Sequence, residues 1–128
     1  MNSLRFHWRL AAQANRLGVV SPDANLQANH SLEQQGNLPN IESNLFFCHR
    51  AEEIGIDSLL TAFNYYRPDP IVLSTALAMA TEKIKLMVAY RPGIISPTLF
   101  VQQINTLSAL SNGRVSFCLL YTSDAADE

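Results

Sequence analysis

The residues of this chain best suited to holding a ligand fall into three groups. The first is Trp8 with Arg9. The second runs through Phe63, Asn64, Tyr65, Tyr66 and Arg67, and the third holds Tyr90, Arg91, Pro92, Gly93 and Ser96. The rings offer flat walls, while Asn64, Arg67 and Arg91 offer polar handles. A guanidinium can stack on a ring and can also pair bidentately with an anion. Together these types suit a flat, anionic, heteroaromatic ligand in a cleft. Aromatic residues also serve as ordinary core rims, and the residues by themselves leave both readings open. Other chemistry finds less support. His7, His30 and His49 are scattered without metal-ligand spacing. No nucleophile elbow, Walker loop or Gly-x-Gly-x-x-Gly turn occurs. Glu52 and Glu53 read as a solvated helix face, and Glu82 with Lys83 as a charge pair at a helix end. Cys48, among Leu45, Phe46 and Phe47, reads as a small buried apolar group. His7 faces either the cleft or the outer helices, depending on strand register.

Each group must stand at the end of an element. Residues 3–10 alternate Leu4, Phe6, Trp8 and Leu10 with polar residues, the period of a strand. Residues 11–39 form a long polar stretch with turn signals at Ser21-Pro22-Asp23 and Gly36-Asn37, of a length usual for functional or mobile loops. Asn40 is suited to capping a helix in which Ile41, Leu45, Phe46, Cys48 and Ile54 recur, and Gly55 suits its left-handed close. Residues 56–61 read as a short buried strand. Asp69-Pro70 starts a helix running to about Thr81, and residues 84–89 read as a buried parallel strand. Ser96-Pro97 starts another helix, closed by Ser111-Asn112-Gly113, and a further strand opens at Val115–Phe117. The two cap-proline pairs, at 69 and 96, stand 27 residues apart. That repeat predicts an α/β fold of parallel β/α units. A closed eight-fold barrel needs about 250 residues, so this chain would supply close to the N-terminal half of one. An open four-stranded sheet is the alternative. In either, ligands bind at the carboxyl ends of the strands, where the three groups lie.

Of 128 residues, 48% are hydrophobic and 16% charged, which excludes a disordered chain. Nine basic residues face eleven acidic ones, which excludes nucleic-acid binding by bulk charge. No run reaches the roughly 18 apolar residues of a membrane span. Arg5, His7 and Arg9 interrupt the first apolar stretch, unlike a signal peptide. Two cysteines are too few for a disulfide framework and suit a reducing, cytoplasmic compartment. The final string, CLLYTSDAADE (118–128), resembles the translated transposon-end adapter of sequencing libraries. It is expected to be non-native, leaving residues 1–117 as the natural part of a longer protein. Without its three acidic residues the net charge moves from −2 to +1, and Cys48 is the cysteine that remains.

FHWRL, AEEIGIDSLL, DPIVLSTALAMAT and IKLMVAYRPGIISPTLFVQQINTLSALSNGRVS together resemble the bacterial luciferase-like flavin-dependent monooxygenases, with closest likeness to the alkanesulfonate monooxygenase branch. The likeness runs from residue 4 to 117, and VAYRPG-x-x-SPT followed by SNGR is its most specific part. The resemblance implies a TIM-type barrel, here truncated. It also implies an enzyme that takes reduced FMN from a separate flavin reductase and uses O2 to oxygenate a small organic substrate. A dry, walled pocket is the physical requirement of such chemistry. By resemblance, Trp8, Asn64, Tyr65, Tyr90 and Arg91 are expected to contact the cofactor or substrate. Arg67 stands about where the alkanesulfonate branch carries a cysteine, a departure from that pattern. The catalytic residues and the contacts of an expected homodimer are implied to lie largely beyond this chain. The truncated chain is accordingly expected to be inactive. Two other readings stay open: a flavin- or deazaflavin-dependent hydride-transfer enzyme on the same barrel, and a non-catalytic accessory half barrel.

Overall fold

The computed structural model describes residues 3–10, 41–63 and 68–120. Strands and helices alternate through them: β1 (His7–Arg9), α1 (Ile41–Glu53), β2 (Ser58–Thr61), α2 (Pro70–Met79), β3 (Lys85–Tyr90), α3 (Pro97–Leu110) and β4 (Val115–Leu119). The strands form one sheet in the order β1-β2-β3-β4, and each neighbouring pair is parallel. This is the α/β arrangement of β/α units that the 27-residue repeat predicts. The sheet is not closed on itself; β1 and β4 are its edges.

Side-chain contacts show which face the helices cover. Trp8 of β1 meets Phe47 of α1 with ring centroids 5.7 Å apart. Thr61 of β2 shares a 3.0 Å hydrogen bond with Ser74 of α2. Tyr90 of β3 stacks on Phe100 of α3 at 3.9 Å, and Phe117 of β4 meets the same ring edge-on at 5.4 Å. Side chains alternate along a strand and share a face across a register pair. One face therefore carries Leu59, Leu86 and Val88, all fully buried beneath the helices. The opposite, inner face carries His7 and Arg9 of β1, Leu60 of β2, Met87 of β3 and Ser116 of β4.

The helix starts follow their caps. The Asp69 carboxylate accepts from the N–H groups of Ile71 (3.0 Å) and Val72 (2.8 Å), and Ser96 Oγ accepts from Leu99 N–H at 3.2 Å, each ahead of a proline in the first turn. Gly55 (φ 84°), Asn112 (φ 56°) and Gly113 (φ 79°) supply the left-handed turns that end α1 and α3. The expected cap Asn40 and the stretch 11–39 lie outside the described residues.

Three details differ from the sequence reading. In α1 the buried side is Asn44, Cys48 and Ala51, while Phe46 is 69% exposed. At 100° per residue, position 46 points away from the face shared by 44, 48 and 51. Ile54, beyond the helix end, is exposed as well. Strand β1 is shorter than the alternating run, so Leu4 and Phe6 lie exposed before it and Leu10 is buried after it. Strand β4 continues to Leu119, two residues into the adapter-like string. It does so because β3 runs on to Tyr90 and pairs Ala89 with Cys118 and Tyr90 with Leu119.

The amino ends of the strands are fastened by two side chains. Glu52 Oε1 accepts from the N–H groups of Glu82 (3.0 Å), Lys83 (2.7 Å) and Ile84 (2.9 Å), tying α1 to the turn before β3. Burial pushes this carboxyl up, but the donors Ile84, Lys83 and Glu82, with His49 nearby, outweigh burial and hold it below its ordinary value. Arg114 grips the same turn from the other side. It donates to the carbonyls of Ala78 (2.7 Å), Thr81 (3.0 Å), Ile84 (3.0 Å) and Ser111 (2.9 Å), and to Thr81 Oγ1 at 3.1 Å. Glu52 is thus no solvated bystander, and the Glu82-Lys83 segment supplies backbone donors to it. Cys48 is the buried apolar group expected; burial, with Glu52 beside it, pushes its thiol up to about 11.

Candidate functional site

Parallel pairing of β2 with β3 sets the segments that follow them side by side at one end of the sheet. Between these segments lies a small cavity, about 60 Å³, lined by Phe63, Asp69, Ala89, Tyr90, Arg91 and Ile95 among others. That is far below the roughly 300 Å³ of a small-molecule pocket, so the cavity suits a few waters and not a heteroaromatic ring system. Arg91 is half-buried here and has no side-chain partner among the described residues. Asp69 spends its carboxylate on the start of α2. Ala89 keeps the inner end of β3 low, leaving space above the sheet.

Of the expected aromatic walls, Trp8 and Tyr90 are turned toward the helices. Trp8 packs on Phe47, on the helix side of β1, because it is in register with Leu59 of the buried face. Tyr90 is likewise turned to the helices: its ring stacks on Phe100 and its hydroxyl donates to Ile95 O at 3.0 Å. Tyr90 also contributes to the lining of the small cavity. His7 falls on the inner face, where Nδ1 and Ser58 Oγ share a 2.5 Å hydrogen bond. Asn64, Tyr65, Tyr66 and Arg67 lie outside the described residues, as does His30. Among the described residues no group of three His, Cys, Asp or Glu side chains is placed to hold a metal ion, and no helix is long and apolar enough to cross a membrane.

The larger hollows are on the helix side of the sheet. One, about 400 Å³, lies between α3 and β4, lined by Tyr90, Pro92, Phe100, Ile104, Phe117 and Leu119 among others, and so reaches the carboxyl ends of β3 and β4. Another, about 560 Å³, lies between α2 and α3. Their apolar linings fit uncovered packing surface rather than a reaction site. The small cavity is the candidate site because, of these three, it alone has charged side chains, Arg91 and Asp69, in its lining at the strand ends.

A family model described as luciferase-like monooxygenase matches residues 15–127. The chain belongs to that family. Solved structures agree in fold. EDTA monooxygenase from Chelativorans sp. BNC1 matches at 20% identity and a TM-score of 0.71, over 95% of this chain and 29% of that one. A riboflavin lyase solved with modified FMN and riboflavin matches at 21% identity and a TM-score of 0.68, over 94% of this chain and 30% of that one. DmoA from Hyphomicrobium sulfonivorans matches at 17% identity and a TM-score of 0.61, over 94% and 29%. The chain thus spans somewhat under a third of the length of these solved structures.

The residues at the strand ends fit a flavin nucleotide in charge. Arg91 offers an uncompensated guanidinium to a phosphate or to an electron-rich ring edge. In shape the fit is partial: Phe63 and Tyr90 bring aromatic residues to the cavity lining, but its volume is too small for the ring system itself. Sequence reasoning missed Glu52 and Arg114. A legible signal existed for the second: an arginine directly after the Asn-Gly that ends a helix stands among free carbonyls.

Proposed function

We propose that this chain is the N-terminal part of a flavin-dependent monooxygenase that uses reduced FMN, supplied by a separate reductase, and O2 to oxygenate a small organic substrate. The observation that carries the proposal is the match to luciferase-like monooxygenases over an all-parallel sheet whose second and third strand ends meet around Arg91. When bound, the reduced flavin supplies the electrons that activate oxygen. Arg91 would fix an anionic edge or phosphate of the cofactor. Asn64 and Tyr65, in the segment between β2 and α2, would supply an amide and a second ring beside it. Trp8 and Tyr90 would act from the helix side by holding α1 and α3 against the strand ends, rather than as walls. The string from Cys118 onward would replace the natural continuation, which would bring the remaining strands, the catalytic groups and any homodimer contact.

Two measurements test this. The full-length protein with a flavin reductase and FMN should consume O2 in step with substrate oxygenation; hydride transfer to or from flavin without O2 uptake would instead favour a dehydrogenase. Residues 1–117 alone, titrated with reduced FMN, should show neither micromolar binding nor turnover. Tight binding with a cooperative melt would remove the case for a fragment.

A further inference from the structure

Once Trp8 is placed on the helix side, the β1 residue nearest the carboxyl ends that faces inward is Arg9. Its row across the sheet is Leu60, Met87 and Ser116, none of which can neutralise a guanidinium. Arg9 is exposed and has no ion pair or hydrogen bond from its side chain among the described residues. The other inner residues that can carry positive charge, His7 and Lys85, share the row through Ser58 at the amino ends, and His7 is engaged with that serine. No described strand position on the inner face is acidic. In the closed barrel that the family reading implies, this inner face would be enclosed, and a cation left there without a partner would be costly. Arg9 therefore calls for an anion from outside these four strands.

We propose that Arg9 is a specificity-determining residue, whose guanidinium binds the anionic group (carboxylate, sulfonate or phosphate) of a small molecule entering at the strand ends. The inference rests on the reading of those ends as the ligand site. The anion belongs either to the flavin's phosphate or to the substrate.

Arginine-selective labelling with phenylglyoxal, mapped by peptide mass spectrometry on the full-length protein, tests it. Arg9 should label readily in the ligand-free protein, and inorganic phosphate or methanesulfonate should slow that labelling several-fold while leaving Arg50 unaffected. Protection by FMN but not by riboflavin assigns the anion to the flavin. Protection by methanesulfonate in the FMN-loaded protein assigns it to the substrate. Arg9→Gln should weaken the anion's hold at least tenfold with an unchanged melt, and Arg9→Lys should restore part of it. The proposal is overturned if Arg9 resists labelling without any ligand, as it would when paired with a carboxylate from a later strand. Labelling that ignores every anion overturns it equally. Anion protection of Arg9 in a protein that binds no FMN would keep this site and discard the flavin reading.

Discussion

Glu52 shows how one carboxylate can govern a junction. With three backbone N–H donors on a single oxygen, it does the work of a cap for a turn 30 residues away. Its folded pKa lies below its ordinary value of 4.5, so its contribution to stability is present above that value and is lost as pH falls through the lower, folded one. Thermal melts of the chain should therefore drop between neutral pH and pH 3, and Glu52→Gln should drop less over the same range while starting lower. Equal acid sensitivity in the two proteins would separate Glu52 from the acid response. At this scale the sequence is least legible. Two adjacent glutamates, Glu52 and Glu53, look alike in the string. Only one lies against the turn before β3, while its neighbour makes an exposed pair with Arg50 at 2.6 Å. The same holds for Trp8 and Arg9, whose roles exchange with a one-residue change of facing.

At the scale of elements the sequence is far more informative, because caps and periods act locally. Asp69-Pro70 and Ser96-Pro97 name their helix starts through the hydrogen bonds they go on to make, and the buried runs name β2 and β3. The clamp between elements escapes such reading, since it depends on which turn meets which arginine. Arg114→Met should destabilise the chain by about 3 kcal/mol in urea unfolding, as several carbonyls lose a charged donor in a half-buried place. Arg50→Met, which removes an exposed pair with both partners more than half accessible, should change stability by less than about 1 kcal/mol. Comparable losses in the two variants would contradict the clamp.

For the whole molecule, the repeat of 27 residues predicts a parallel sheet and the family likeness predicts a barrel; the four described strands supply an open part of one. Closure is not legible in the repeat, because a 27-residue period sets how neighbouring strands pair and not how many of them there are. The open edges carry apolar surface: Phe6 and Trp8 beside β1, Phe117 and Leu119 on β4. Such edges favour association. Sedimentation velocity should show this chain growing in mass with concentration, and Phe117→Lys should reduce that growth; a monomer at all concentrations would count against exposed edges of this kind. The contrast between the two ends of the sheet has a further consequence. Glu52 and Arg114 each bind across elements on the amino side, whereas the ties of Asp69, Tyr90 and Ser96 at the opposite rim stay within their own segments. Descendants of one ancestor could accordingly lengthen, shorten or recompose that rim to take new compounds, and the foundation beneath would keep its shape.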